Sequence, residues 1–274
     1  MESEAQRAPR IIAVSSGKGG VGKTNTVVNL AVAFTKMGKR CLLLDADLGL
    51  GNIDVLLGLS PRYNVSDLLK GERSIEEVIV RGPAGIMILP AASGVHELTN
   101  LKAEERLSLS SHLERLSAEV DILIIDTGAG ISTNVLFFNV AAQDILVVVS
   151  PEPTSITDAY ALMKVLLKKH GERRFKLLVN TARTKKEGLE VYRKMSLAAE
   201  RFLNLSIEYA GCVLHDDNVQ KAVMAQKAVM ELYPETKASA CFMEIAREIS
   251  EAPPSKEIKG GLQFFWRHIL SKGA

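Results

Sequence analysis

The segment SGKGGVGKTN, residues 16–25, holds the residues of this chain that are best suited to chemistry. From Gly17 to Thr24 it follows the pattern G-x-x-x-x-G-K-T of a phosphate-binding loop. Glycines let backbone N–H groups turn inward around a phosphate, and a following helix N-terminus adds partial positive charge. Lys23 would pair with the β- and γ-phosphate oxygens, and the Thr24 hydroxyl would ligate Mg²⁺. Such a loop needs one lysine, so its chemistry leaves Lys18 without a role.

Three aspartates lie where apolar runs end, which is where ligands bind in open α/β sheets. Asp45 and Asp47 stand in LLLDADLGLGNID, and Asp126 stands in ILIIDTGAGI, where glycines follow it. A single aspartate at a strand end is more often a helix cap or a turn residue than a catalyst. Three of them together with a phosphate-binding loop favour catalysis. Asp126 would hold Mg²⁺ through its water shell, and one of the earlier pair would orient the attacking water.

Short apolar runs alternate along the chain with helical patterns, such as those over residues 102–118 and 155–170. Continuous apolar runs are typical of strands that are buried on both faces, and the helices between them would make βαβ crossovers. The pattern predicts an α/β fold with a doubly wound, mainly parallel sheet of about seven or eight strands and helices on both faces. The predicted strands are IIAVSS, CLLLDA, GIMILP, VDILIID, DILVVVS, FKLLVN and IEYAGCVL.

Composition and charge are those of an ordinary globular protein. The chain has 274 residues, of which 47% are apolar and 24% charged, and its formal net charge is +2. So weak an overall charge does not favour nucleic acid, and binding to DNA would need a local basic patch. The three cysteines are odd in number and widely spaced, which predicts buried thiols in a reducing compartment. The polar first ten residues lack the apolar stretch of a signal peptide, so the cytoplasm is expected.

Three segments resemble the deviant Walker A ATPases of the MinD and ParA superfamily: KGGVGKT with its extra lysine, DADLGLGNID and DTGAGI. The similarity runs from about residue 10 to residue 250 and continues into the tail. Within it, GKTN, DVLLGL and PEPTSITDAYALMK, residues 151–164, resemble the flagellar-number regulator branch known as FlhG or FleN. The resemblance implies the P-loop NTPase fold of MinD, with ATP and Mg²⁺ as cofactors.

The resemblance also implies a switch. ATP would bring two subunits together as a homodimer, and slow hydrolysis to ADP and phosphate would separate them. The family's signature lysine, matched by Lys18, reaches across the interface to the partner subunit's phosphates, which gives the extra lysine a role. Asp47 matches the water-positioning aspartate, and Asp45 matches the neighbouring carboxylate near the metal. The implied catalytic residues are Lys18, Lys23 and Asp47, and the implied metal-site residues are Thr24, Asp45 and Asp126.

Further residues of the nucleotide site follow from the same resemblance. Asn180 matches the asparagine that contacts adenine, Asp216 lies in the loop on the adenine side, and Glu152 would contact the partner subunit's nucleotide. The implied ATP-binding residues are Gly17, Lys18, Gly19, Gly20, Val21, Gly22, Lys23, Thr24, Asn25, Glu152, Asn180 and Asp216.

The tail IKGGLQFFWRHILSKGA predicts a short amphipathic helix that lies on a membrane surface. Its large apolar residues recur at spacings of 3, 1, 3 and 1, which places them on one helical face. A segment this short cannot span a bilayer but suits its interface. A helix packed on its own domain is the alternative, and the two can hold in different nucleotide states. The apolar face comprises Leu262, Phe265, Trp266, Ile269 and Leu270.

These patterns divide the chain into four parts. Two prolines in SEAPPSKE stop the last helix of the domain. By resemblance, the partners would be a σ54-type flagellar activator and the SRP-like flagellar GTPase FlhF, and the protein would attach peripherally to the inner face of the cell membrane. Many members carry an N-terminal DQAxxLR segment that stimulates the GTPase, whereas this chain has only EAQR there. The parts are a polar leader, 1–10; the ATPase domain, 11–250; a proline-containing linker, 251–257; and the membrane-targeting helix, 258–274.

Functions of other classes are weighed against this one. A ParA-type partitioning ATPase would use the same switch and bind DNA, but its candidate basic segments, KKHGERR (168–174) and RTKKEG (183–188), are expected to be solvated helix ends or loops, so direct DNA binding is not expected. An iron–sulfur electron carrier would need paired cysteines, and a bacterial tyrosine kinase would need tyrosines after Tyr233; the sequence has neither. A scaffold that binds ATP without hydrolysing it stays open.

Overall fold

The computed structural model describes residues 9–47, 51–91, 108, 111–112, 115–116 and 118–252. Its strands are β1 Arg10–Ser16, β2 Cys41–Ala46, β3 Val80–Arg81, β4 Met87–Leu89, β5 Ile122–Ala129, β6 Asp144–Val149, β7 Phe175–Ala182 and β8 Ile207–Leu214. They form one sheet in the order β3-β4-β2-β5-β1-β6-β7-β8. All neighbouring pairs are parallel except β3 with β4. The predicted fold class and all seven predicted strands are confirmed.

Helices connect the strands and cover both faces of the sheet. The predicted helix over residues 155–170 is confirmed as part of α6, whereas most of the predicted helix 102–118 lies outside the described residues. A short 3₁₀ helix spans Pro83–Gly85. The α-helices are α1 Lys23–Lys36, α2 Ile53–Leu56, α3 Val65–Leu69, α4 Ile75–Val78, α5 Thr133–Ala141, α6 Pro153–His170, α7 Lys185–Leu203, α8 Asp217–Met224, α9 Val229–Leu232 and α10 Lys237–Glu251.

The central strands are buried on both faces, as continuous apolar runs predict. On one face, α1 and α10 pack through side chains such as Phe34, Phe242 and Ile245. On the other, α6 and α7 cover β6 and β7 through Leu162 and Met195. The three cysteines are free and buried within this core, which confirms the expected buried thiols.

Arg10 joins the first strand to the last helix. Its Nε atom lies 2.7 Å from Asp144 Oδ2, and its Nη1 atom donates to the carbonyl oxygens of Ile249 and Ala252. The last carbonyls of a helix have no partner within the helix, so an arginine there stabilises the helix end. The end of α10 is therefore held beside the start of β1, at the edge of the sheet opposite to the carboxyl ends of the parallel strands.

The two basic segments lie at helix ends, as predicted. Residues 168–174 form the end of α6 and the turn into β7, where Gly171 adopts a left-handed conformation with φ 72°. Residues 183–188 begin α7, whose N-cap Thr184 accepts a hydrogen bond from the backbone N–H of Glu187. Lys185 is engaged in an ion pair of 2.9 Å with Glu244 of α10.

Candidate active site

The glycine-rich loop connects β1 to α1 at the carboxyl edge of the sheet, as the sequence predicts. Gly22 immediately precedes α1 with φ 84°, a conformation that side chains rarely adopt. A Cβ on Gly22 would also lie 2.3 Å from Asn180 Nδ2. Asn180 donates from this atom to the carbonyl oxygen of Val21 at 2.8 Å. The asparagine that the resemblance matches to adenine binding therefore also holds the loop in shape from β7.

Helix α6 approaches the start of the same loop. A Cβ on Gly17 would lie 2.1 Å from the backbone carbonyl carbon of Asp158. No other residue type fits there without moving α6, so Gly17 is required by packing. The loop is thus braced on two sides, by α6 and by the end of β7, and its backbone N–H groups lie ahead of the N-terminus of α1.

Lys23 and Asp126 form a buried ion pair in the centre of the site. Lys23 Nζ lies 2.6 Å from Asp126 Oδ1, and the two side chains are 8% and 1% exposed. The Thr24 hydroxyl is near enough to Asp126 to favour its charged form and so to lower its pKa. Burial raises the pKa of Asp126, and the adjacent Lys23 ammonium opposes that shift. The structure therefore brings together the lysine, the hydroxyl and the carboxylate that the sequence assigns to phosphate and Mg²⁺.

The two earlier aspartates lie beside this pair. Asp45 is directly opposite Asp126 in the parallel pairing of β2 with β5. Its Oδ2 accepts hydrogen bonds from the backbone N–H groups of Asn52 and Ile53 at 3.0 and 3.2 Å, and its Oδ1 accepts one from Asp47 at 3.2 Å. Asp45 therefore organises the loop that carries Asp47.

Asp47 lies beside the last residues of β5. A Cβ on Gly128 would lie 3.4 Å from Asp47 Oδ1, so the carboxylate lies close to this glycine. Asp47 is half-buried, unlike Asp45 and Asp126, which are buried. Of the three carboxylates it is thus the best placed to meet a water molecule, as its predicted role requires.

Lys18 is bound within its own chain. Its Nζ atom lies 2.9 Å from Glu152 Oε2 and 3.1 Å from Thr154 Oγ1, at the start of α6. The Lys18 and Glu152 side chains are 41% and 61% exposed. Both residues that the resemblance assigns to the partner subunit's nucleotide are therefore paired with each other on the surface. Their roles across an interface stay predictions.

A cavity of about 320 Å³ opens beside the loop, and it has room for a nucleoside. Asp216 caps α8 by accepting from the backbone N–H of Asn218 at 3.0 Å, and it reaches the N–H of Ala238 at 3.3 Å. The predicted residues Asn25, Asn180 and Asp216 all line the cavity. Its walls are Lys18, Gly19, Gly20, Val21, Gly22, Asn25, Ser150, Glu152, Asn180, Thr181, Val213, Leu214, His215, Asp216, Val219, Gln220 and Phe242.

Comparison with known proteins decides the family. The profile of a protein family described as "AAA domain" (AAA_31) matches residues 9–177. "Antiactivator FleN" of Pseudomonas aeruginosa is 43% identical over 265 residues, which cover 97% of this chain and 95% of that protein. The chain belongs to the MinD/ParA family of ATPases, in its flagellar-regulator branch. "Flagellum site-determining protein YlxH" of Helicobacter pylori is 31% identical, with 95% of this chain and 90% of that protein covered.

Solved structures of MinD agree with this membership. MinD in the MinC:MinD complex of Aquifex aeolicus has a TM-score of 0.69 and 30% identity, covering 90% of this chain and 99% of that one. MinD of Pyrococcus horikoshii, a complex with Mg-ADP, has a TM-score of 0.72, with 89% and 96% covered; at 23% identity it supports the fold alone.

The site suits the Mg²⁺ that MinD/ParA ATPases use with their nucleotide. Among the described residues, no group of three or more His, Cys, Asp or Glu side chains forms a ready-made metal site. Mg²⁺ usually takes only one or two carboxylates and completes its shell with water and substrate phosphates. The neighbouring oxygens of Thr24 and Asp126, next to the phosphate loop, provide that kind of partial site.

Some site residues of this MinD/ParA chain have no signal in the sequence. Thr154, the second partner of Lys18, and Phe242, which lines the cavity from α10, are ordinary helix residues when considered locally. Only the packing of α6 and α10 against the loop brings them into the site. The five apolar residues of the tail lie outside the described residues, and the membrane role of the tail stays a prediction.

The titration of Asp45 gives a test of the site's electrostatics. Burial, and then the charge of Asp126, raise the pKa of Asp45 to about 7. A carboxyl group with a raised pKa favours the folded state at low pH, and this contribution is lost as the pH rises through the folded pKa. We expect Asp45 to lower the free energy of unfolding by roughly 2–3 kcal/mol between pH 5 and pH 8, without nucleotide or metal.

Urea unfolding of wild type and Asp45→Asn at several pH values measures how much Asp45 contributes to the pH dependence of the free energy of unfolding. The variant should show a smaller loss of stability between pH 5 and pH 8. Asp121→Asn is the matched control, because a bond from Arg40 lowers the pKa of Asp121 and that group does not titrate in this range. Equal pH dependence in wild type and Asp45→Asn would contradict the expectation.

Proposed function

We propose that this chain is an ATP-dependent dimerising switch that regulates flagellar number and placement. The observation that carries the proposal is the separation of two lysines in one loop. Lys23 is buried on Asp126, whereas Lys18 lines the cavity in an exposed ion pair with Glu152. This separation supports a role for Lys23 on the chain's own nucleotide and a role for Lys18 on that of a second chain.

ATP hydrolysis follows from the residues around the loop. On binding ATP with Mg²⁺, Lys23 would exchange Asp126 for the β- and γ-phosphate oxygens, and Thr24 and Asp126 would hold the metal. Asp47, beside Gly128, would orient the attacking water. The paired ends of β2 and β5 hold Asp45 and Asp126 in place. Little rearrangement would therefore be needed apart from the movement of the Lys23 side chain.

The Lys18–Glu152 pair supplies the switch. An exposed ion pair contributes only about 0–1 kcal/mol, so Lys18 can leave Glu152 at little cost when a stronger anion is offered. The γ-phosphate of a partner subunit's ATP is such an anion, and ADP lacks it. Releasing Lys18 also frees Glu152 for the partner. Dimerisation would thereby depend on which nucleotide is bound.

Size analysis with ADP and with ATP tests this proposal. Wild type should be monomeric with ADP and dimeric with ATP, and Asp47→Ala should form a longer-lived ATP dimer with near-zero turnover. Lys18→Ala should bind ATP but stay monomeric. Thr154→Val is a matched control, because it removes the minor contact of Lys18 and leaves the lysine in place. Dimerisation of Lys18→Ala at the wild-type ATP concentration would refute the role of Lys18.

The flagellar role and the membrane role rest on relatives and on the tail. The relatives are named as an antiactivator and as a flagellum site-determining protein. We propose a σ54-type activator and the flagellar GTPase FlhF as partners, and peripheral attachment to the inner membrane face through residues 258–274. Within the described residues, no helix is both long enough and apolar enough to cross a membrane.

A further inference from the structure

Strands β1 and β5 lose their regular pairing beside Asp126. Val14 pairs with Asp126 and Ser16 pairs with Ala129, so β5 carries one extra residue between these pairs. A bulge of this kind bends its strand and re-aims side chains, and it leaves backbone groups without their usual ladder partners. Because the extra residue comes directly after Asp126, the shape of the bulge determines how Asp126 and Gly128 sit relative to the phosphate loop.

Three polar side chains fill the space behind this bulge, and each is 0% exposed: Ser15 in β1, Thr127 in β5 and Asn139 in α5. Asn139 Nδ2 lies 2.7 Å from Ser15 Oγ, and Ser15 Oγ lies 2.7 Å from Thr127 Oγ1. Thr127 Oγ1 in turn reaches the carbonyl oxygens of Val14 and Gly128 at 3.1 and 3.0 Å. We call these three side chains the relay.

The relay has a single direction of hydrogen bonding. The amide nitrogen of Asn139 can only donate, so Ser15 accepts from it. Ser15 then has its one proton left for Thr127, and Thr127 must give its own proton to a carbonyl of the bulge. Hydrogen bonds thus run from α5 through β1 and Thr127 to the carbonyl oxygens of Val14 in β1 and Gly128 in β5.

Stability alone does not explain three polar groups at a fully buried position. Burying hydroxyl and amide groups costs free energy unless every group is paired. Asn139 Oδ1 has no hydrogen-bond partner among the described residues, so the relay is not even fully satisfied. An apolar side chain of similar size would avoid that cost. A role in holding the backbone in position would explain why these buried side chains are polar, which packing alone does not.

We propose that Asn139, Ser15 and Thr127 form a positioning relay that holds the bulge, and with it Asp126 and Gly128, in the geometry that ATP turnover requires. This inference rests on the ATPase activity. Asp126 would hold Mg²⁺, and Gly128 faces the water-positioning Asp47. A change in the backbone conformation of the bulge would therefore displace the groups around the reacting phosphate, while the phosphate loop that binds ATP stays intact.

Thr127→Val tests the relay because it removes the hydroxyl and keeps the shape of the side chain. With Mg²⁺ and the full chain, we expect kcat to fall about tenfold and the KM for ATP to change less than about twofold. Tenfold corresponds to about 1.4 kcal/mol, which is the size of one neutral hydrogen bond. Thr127→Ser retains the hydroxyl and should recover kcat to within about threefold of wild type.

The split between kcat and KM separates positioning from folding. Assays are run well below the melting temperature, with circular dichroism to confirm the fold. Thr35→Val is the matched control: it removes a hydroxyl bound to Ala31 O near the far end of α1 and should leave kcat unchanged. If Thr127→Val does not fold, Ser15→Ala carries the same expectation.

A double variant tests whether the three residues act as one unit. Asn139→Leu combined with Thr127→Val should lower kcat no further than the stronger single variant. Additive losses, wild-type kcat in Thr127→Val, or an equal loss in Thr127→Ser would each overturn the relay. Absence of turnover in wild type would instead overturn the ATPase activity and the relay with it, so the two failures are distinguishable.

Discussion

Lys23→Ala is expected to lower ATP turnover by a factor on the order of 10² or more, because it removes a fixed positive charge from the phosphate position. The same change should weaken binding of ATP, since no other lysine of the loop points inward: Lys18 is on Glu152. Phosphate release under saturating Mg-ATP and titration with a fluorescent nucleotide measure the two effects.

The stability of Lys23→Ala gives a second, independent signal. Removing one partner of a buried ion pair costs about 3–5 kcal/mol when the remaining charge stays uncompensated. Without the Lys23 ammonium, the pKa of Asp126 should rise further, so protonation relieves this cost at low pH. Without nucleotide, the melting temperature of the variant should therefore lie further below that of wild type at pH 8 than at pH 6.

Lys36→Ala is the matched control for Lys23→Ala. Lys36 lies in the last turn of the same helix and donates to the carbonyl of Met230 at 2.6 Å, away from the loop. We expect wild-type turnover and no added pH dependence of melting. Wild-type turnover in Lys23→Ala would contradict the assignment of the loop.

Deleting residues 258–274 is expected to abolish sedimentation with anionic liposomes and to leave ATP turnover intact. Burial of five large apolar side chains is worth roughly 8–15 kcal/mol gross, but partial insertion and the ordering of a helix leave much less. One tail should bind weakly, and two tails on one dimer gain a factor of about 10² to 10⁴ by avidity. Sedimentation should accordingly require ATP in the full-length protein.

A substitution on the folded domain controls for non-specific adsorption. Phe202, on α7, is 66% exposed, so Phe202→Ser removes a large surface apolar side chain without touching the tail. It should sediment like wild type. Equal sedimentation by the truncated protein would refute the membrane role of the tail and leave the alternative, a helix packed on its own domain.

Local sequence patterns are sufficient to predict the strands of the central sheet and the position of the phosphate-binding loop. Continuous apolar runs predict strands that are buried on both faces, and the glycine-rich loop after the first of them places the phosphate site. The two-residue strand β3 was missed, because Val80–Arg81 is too short to give a pattern and is defined only by its antiparallel pairing with β4.

The side-chain contacts of the site could not be read from the sequence. Lys18 and Glu152 were each predicted to meet a partner subunit's nucleotide, but their pairing with each other depends on how α6 meets the loop across 134 residues of chain. The relay joins residues 112 and 124 positions apart, and serine, threonine and asparagine in apolar segments give no signal of such contacts. Spacing along the chain does not encode these distances.

The bonds from Arg10 to the end of α10 determine how far the tail must extend to reach a membrane surface. They fix the departure point of the tail at one edge of the sheet, whereas a dimer formed around the nucleotides would join the chains at the opposite edge. Each tail would then begin about the length of β1 away from that junction, which is roughly 23 Å for seven residues at 3.3 Å each. Residues 253–261 comprise the rest of the linker and the four tail residues that precede Leu262, and if extended they can cover about 30 Å. This stretch is therefore long enough for the apolar faces of both tails to meet one flat surface, whereas the linker alone is not.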